Sequence, residues 1–143
     1  MFYKKIFALI TTICLASVAS AETFQIEMLD KGEAGKMIFQ PAYLHVSVGD
    51  TVTFIPTSKG HNAETIRGMI PDGAESFKTK ISAEVSVTLT SEGIYGIKCT
   101  PHYAMGMVAL IQVGSAINIE EAKLAKHSAK VKAKMNSLFD EVK

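Results

Sequence analysis

The amino-acid sequence predicts a mainly β domain, an antiparallel sandwich or barrel, followed by two α-helices at the C-terminus. Two observations predict it. Up to about Val113 the apolar residues recur mostly at every second position, in runs bounded by Gly, Pro, Asp or Ser. After Gly114 the recurrence changes to the three-and-four spacing of a helix.

The first 21 residues stand apart from this pattern. Met1-Phe2-Tyr3-Lys4-Lys5 precede an apolar run from Ile6 to Val18 and then Ala19-Ser20-Ala21, the arrangement of a cleaved secretory leader. The run is shorter than the ~20 residues a membrane-spanning helix needs, and the bulky Ile13 before Cys14 argues against lipid attachment there. Cleavage after Ala21 would leave residues 22–143 as one domain, the sandwich over about 22–114 and the helices over about 116–142. That length suffices for one core without staples. The destination this implies is the periplasm, with no membrane insertion once the leader is gone. Loss of Lys4 and Lys5 takes the formal charge from +1 to −1. A near-neutral exported chain without a basic stripe argues against nucleic acid as a partner.

The strands follow in order. Phe24, Ile26 and Met28 alternate with Gln25 and Glu27; Leu44, Val46 and Val48 alternate with His45 and Ser47 before Gly49-Asp50 turns the chain into Thr51–Phe54. Val85, Val87 and Leu89 form the next alternation, Ser91-Glu92-Gly93 the next turn, and Ile94–Cys99 the strand after it. Met107–Val113 is almost continuously apolar, as expected of a central strand. Between Pro56 and Ser82 the pattern breaks down, and a long irregular stretch in a compact domain points to function. Beyond Gly114, Ile119 and Ala122 mark a short helix with Asn118 as its first cap and Glu121 in its first turn. Val131, Met135, Leu138, Phe139 and Val142 mark a second, whose apolar stripe should cover an edge or open face of the sheet.

With Cys14 removed, Cys99 is the single remaining cysteine. A lone thiol in an oxidising compartment is exposed to oxidation unless something occupies it. It opens the segment Cys99-Thr100-Pro101-His102-Tyr103-Ala104-Met105-Gly106-Met107, in which thiolate, imidazole and thioether follow one another. Those donors suit copper that alternates between two oxidation states. A further nitrogen is needed. His45 falls on the polar face of a strand and His127 in a Lys-rich helix, so both read as solvated surface residues. His61 lies in the polar loop Ser58-Lys59-Gly60-His61-Asn62, where Gly60 allows close backbone approach and Asn62 can tie loops together. His61, Cys99 and His102 then form a His₂Cys set with Met107, held at the start of a strand, as the weak axial donor. Met105 reads as a surface apolar neighbour. Gly60, Asn62, Thr100 and Pro101 flank the donors, and Pro101 withholds a backbone N–H near the sulfur. A Cys99–His102 nucleophile pair lacks an evident oxyanion hole or orienting carboxylate, and a methionine in the fourth position is at odds with a hydrolytic zinc site. No residue reads as catalytic. A copper-binding or storage module without electron transfer is the competing reading.

The Cys99–Met107 segment, the upstream Gly60-His61-Asn62, the 38-residue step from His61 to Cys99 and the paired C-terminal helices resemble the pseudoazurin family of cupredoxins. The resemblance covers essentially all of 22–143. The C-x₂-H-x₄-M pattern alone is shared with plastocyanins and marks only the wider group. The resemblance implies an eight-stranded Greek-key β-sandwich with two C-terminal α-helices and one type 1 (blue) copper ion at one end, held by His61, Cys99, His102 and Met107. It implies a non-enzymatic, monomeric electron carrier whose electrons leave through the edge of His102. The docking surface it implies is an apolar patch of Met37, Pro56, Pro101 and Met105 ringed by Lys31, Lys59, Lys78 and Lys98. The partners it implies are acidic-surfaced redox proteins, nitrite reductase of denitrification above all.

Overall fold

The computed structural model describes residues 20–143. Except for Ser20 and Ala21, the leader read over residues 1–21 lies outside the described residues, as does Cys14. Eight strands are present: β1 (Thr23–Gly32), β2 (Gly35–Gln40), β3 (Tyr43–Val46), β4 (Thr51–Ile55), β5 (Glu64–Thr65), β6 (Val85–Thr88), β7 (Gly93–Lys98) and β8 (Val108–Val113). Two helices follow, α1 (Ile119–Lys123) and α2 (Ala129–Phe139).

The strands form two four-stranded sheets, ordered β2-β1-β4-β6 and β3-β8-β7-β5. The pairing is not wholly antiparallel, as the alternation alone suggested. β1 pairs with β4, and β3 with β8, in parallel. The cause is the crossing between sheets: β3 leaves the first sheet to flank the last strand, and the chain then returns to β1 in its original direction. The strand at Leu44 also ends at Val46, leaving Val48 half exposed in the turn.

Alternation along the strands places the core between the sheets. Ile26, Met28, Phe39, Val52 and Phe54 from one sheet meet Tyr95, Ile97, Ala109, Ile111 and Val113 from the other. The outward residues of β7 and β8, Ile94, Val108 and Leu110, are also buried, in a second cluster with Val131, Met135 and Leu138 of α2. β7 and β8 are therefore covered on both faces, which accounts for the unbroken apolar run of β8. The stripe on α2 is spent on this cover; burying each of its three large side chains contributes about 1.5–3 kcal/mol. Gly96 makes room for the second cluster, because a Cβ there would come within 2.7 Å of the Met69 sulfur.

Two polar side chains fix the tail in ways local pattern did not suggest. Asn118 stands before α1 but makes no capping bond; its amide brackets Ile94 instead, accepting from the N–H (2.6 Å) and donating to the carbonyl (3.0 Å). Gln112, the outward polar residue of β8, binds both backbone groups of Lys143 and the Tyr43 hydroxyl.

His127 corrects its surface reading. It sits in the connector between the helices, half buried, with Nδ1 2.6 Å from the Tyr103 hydroxyl and Nε2 buried without a hydrogen-bond partner. Burial holds its pKa below the usual histidine value. Above about pH 6.5, the unperturbed value, His127 is neutral in both folded and unfolded chains. As pH falls through that point the unfolded chain takes up a proton before the folded one does, so stability declines. The native protein's advantage over His127→Gln in denaturant unfolding should therefore shrink between about pH 7 and about pH 5. A constant difference would contradict this burial cost.

Candidate metal centre

The site is assembled where two connections meet at one end of the sandwich. Cys99 directly follows β7 and Met107 directly precedes β8, so the sheet fixes both ends of the intervening loop. The Cys99 N–H donates to the Met107 carbonyl (3.0 Å), and the N–H groups of Met105 and Met107 both donate to the His102 carbonyl (3.0 and 3.2 Å). A 3-10 turn over Tyr103–Met105 closes on Gly106 in a left-handed conformation. His61 arrives from the loop after β4. There Gly60, at φ +89°, makes a turn that a side chain would strain, and its N–H donates to Ser82 Oγ (2.8 Å). The Ser82 N–H returns to the His61 carbonyl at 2.8 Å. The loop is clamped from both sides.

The three strong donors of the sequence reading come together. His61 Nδ1 lies 3.0 Å from His102 Nδ1, and Cys99 Sγ lies 3.6 and 3.5 Å from them. A point equidistant from three atoms so spaced is about 2.0 Å from each, the length of a metal–imidazole bond. His61 and Cys99 are fully buried, His102 half buried. Met107 is also fully buried, whereas Met105 is 46% exposed. Among the described residues no other group of His, Cys or carboxylate side chains converges in this way.

The environment of the thiol fits a cation. Burial raises the Cys99 pKa, while the backbone N–H groups of Asn62 and His102 beside it act in the opposite direction. Burial thus favours the neutral thiol, and a bound cation would supply the positive charge that stabilises the thiolate. The adjoining residues are locked together. Asn62 accepts from the Thr100 N–H (2.7 Å) and donates to Thr79 O (3.3 Å) and Thr100 Oγ1 (3.1 Å). Thr100 in turn donates to Glu64 (2.5 Å). That hydrogen bond, with Lys98 and Lys78 nearby, holds the Glu64 carboxyl below its usual range.

The chain matches the sequence profile of the copper binding proteins, plastocyanin/azurin family, over residues 26–114. It is 45% identical over 131 residues to a pseudoazurin of Paracoccus pantotrophus, covering 91% of this chain and 90% of the relative. The chain belongs to the pseudoazurins within that family. A putative pseudoazurin of Rhizobium leguminosarum bv. viciae is 48% identical over 130 residues, covering 89% of this chain and 86% of the relative. The crystal structure of the pseudoazurin of Methylobacterium extorquens superposes with a TM-score of 0.82 at 44% identity, covering 85% of this chain and 99% of that one. The eight strands and two helices are thus those of a pseudoazurin, and copper is the metal its donor set suits.

The residues that the resemblance sets around His102 differ in exposure. Pro101 and Met105 are exposed beside it, while Met37 and Pro56 are half buried and Met37 packs against the core. Lys31 and Lys59 are exposed. Lys78 and Lys98 share one carboxylate, Glu64, at 3.4 and 3.8 Å, and Lys98 also lies 5.2 Å above the Tyr103 ring. Sequence reasoning missed Glu64, Ser82 and Asp30. None carries a local motif; each meets the site through a contact more than twenty residues away in sequence.

Proposed function

We propose that this pseudoazurin is a soluble, monomeric one-electron carrier of the periplasm. Its leader (1–21) is removed, and the single domain 22–143 holds copper through His61, Cys99, His102 and the weak axial Met107. Bound there, copper would supply exchange of one electron between its two oxidation states. The observation that supports this reading is the convergence of three donors from two strand-anchored loops, with only His102 partly open to solvent. A framework clamped at Gly60–Ser82, Asn62–Thr100 and Cys99–Met107 resists rearrangement when the charge changes. The half-buried His102 between exposed Pro101 and Met105 offers the path outward. Such a protein transfers charge and is not an enzyme.

The proposed docking face is Met37, Pro56, Pro101 and Met105, ringed by Lys31, Lys59, Lys78 and Lys98. Its positive charge would draw an acidic redox partner, nitrite reductase being the one we propose. Because Glu64 offsets part of the charge on Lys78 and Lys98, steering should rest more on Lys31 and Lys59. Electron exchange between the copper-loaded protein and an acidic nitrite reductase should be fast at low salt. It should slow as ionic strength rises beyond about 0.1 M, where the Debye length is about 10 Å. Copper loading without such exchange would instead mark a storage module.

A further inference from the structure

The imidazole of His61 is held on its outer side by a charged group. His61 Nε2 lies 2.8 Å from Asp30 Oδ1, while Nδ1 faces Cys99 and His102. A carboxylate only accepts, so Nε2 carries the proton and Nδ1 turns its lone pair toward the other donors. The His61 ring has 0% exposure; water does not reach it to take over the role of Asp30.

Asp30 is itself placed by the fold. It lies near the end of β1, and its N–H donates to Ser58 Oγ (3.0 Å). The Ser58 N–H returns to the Met28 carbonyl on the same strand at 3.0 Å. The loop that delivers His61 is thereby stitched to the strand that delivers its carboxylate. With 61% of its side chain exposed, Asp30 remains in contact with water, which screens its charge.

We infer that Asp30 is a positioning residue for the copper ligand His61, and that its carboxylate biases the site toward the oxidised metal. The geometry supplies both effects. The hydrogen bond selects one tautomer and one ring orientation. The negative charge, one imidazole away from the donors, favours the ion of higher charge. The inference rests on the copper reading above.

Three variants test it. Asp30→Asn keeps an acceptor oxygen at the same place and removes the charge; Asp30→Ala removes both; Asp30→Glu restores the charge. Asp30→Asn should lower the preference for Cu(II) over Cu(I) about threefold to tenfold, a tenfold change being a 59 mV rise in potential for one electron. Asp30→Glu should return the potential part of the way. In the metal-free native protein, nitrogen NMR should show one His61 tautomer with a slowly exchanging Nε2–H. Asp30→Ala should mix the tautomers and speed that exchange. A coloured native protein whose potential is unmoved or lowered in Asp30→Asn overturns the inference alone. A native protein that takes up Cu(II) without intense colour overturns the copper reading and the inference with it.

Discussion

With Cu(II), Cys99→Ser is expected to show none of the intense visible absorption expected of the native protein, a complete loss rather than a partial one. The band depends on a thiolate sulfur that donates charge to the metal, and a serine hydroxyl neither ionises at neutral pH nor matches sulfur in softness. The fold should survive. The Cys99 side chain is fully buried, but its sulfur lies within 3.6 Å of both imidazole Nδ1 atoms, so a hydroxyl in its place has hydrogen-bond partners waiting. We expect the metal-free variant to stay within about 1–2 kcal/mol of the native protein, the range for a buried hydroxyl that is partnered. Absorption titrations with Cu(II), paired with denaturant unfolding of the metal-free proteins, separate the two effects. Intense colour retained in Cys99→Ser would remove the thiolate from the site. Lost colour together with lost folding would not meet the expectation either, because the framework should outlive the ligand.

What was legible in the sequence and what was not divide along a physical line. Cys99, His102 and Met107 lie within one short loop, where donor chemistry and spacing are visible together. His61 could be found because it interrupts a regular pattern with a polar Gly-containing loop. The sheet elements were legible from alternation, and the helices from the change of period after Gly114. Asp30 was not legible: on β1 it is one more polar residue at a strand end, and only the hydrogen bonds to Ser58 and His61 bring it to the site. Glu64 was hidden in the same way, and its presence changes what Lys78 and Lys98 can offer a partner. The parallel pairings of β1 with β4 and of β3 with β8 depend on which sheet each strand joins, which alternation does not encode. His127 was misplaced because a Lys-rich neighbourhood resembles a solvated surface, yet one ring nitrogen meets the Tyr103 hydroxyl and the other is buried without a partner.

The framework makes its largest demand on Asn62. Asn62→Ala should cost about 2–4 kcal/mol in unfolding free energy, since each polar group left buried and unpaired costs about 1–3 kcal/mol. Asn62 is 1% exposed and uses both ends of its amide: the oxygen takes the Thr100 N–H, the nitrogen reaches Thr79 O and Thr100 Oγ1. Alanine strands the Thr100 N–H next to Cys99 and the Thr79 carbonyl in the loop that closes over His61. Thr100→Val is the informative contrast. It keeps the Thr100 backbone bond to Asn62 and removes only the exposed hydroxyl between Asn62 and Glu64, so it should cost less than about 1 kcal/mol. Urea unfolding of the two metal-free variants measures the difference. Equal costs would mean that the exposed hydroxyl, not the buried amide, holds the two loops together. If the amide holds them, the copper spectrum should shift in Asn62→Ala and stay in place in Thr100→Val, because only the first frees the backbone that positions Cys99.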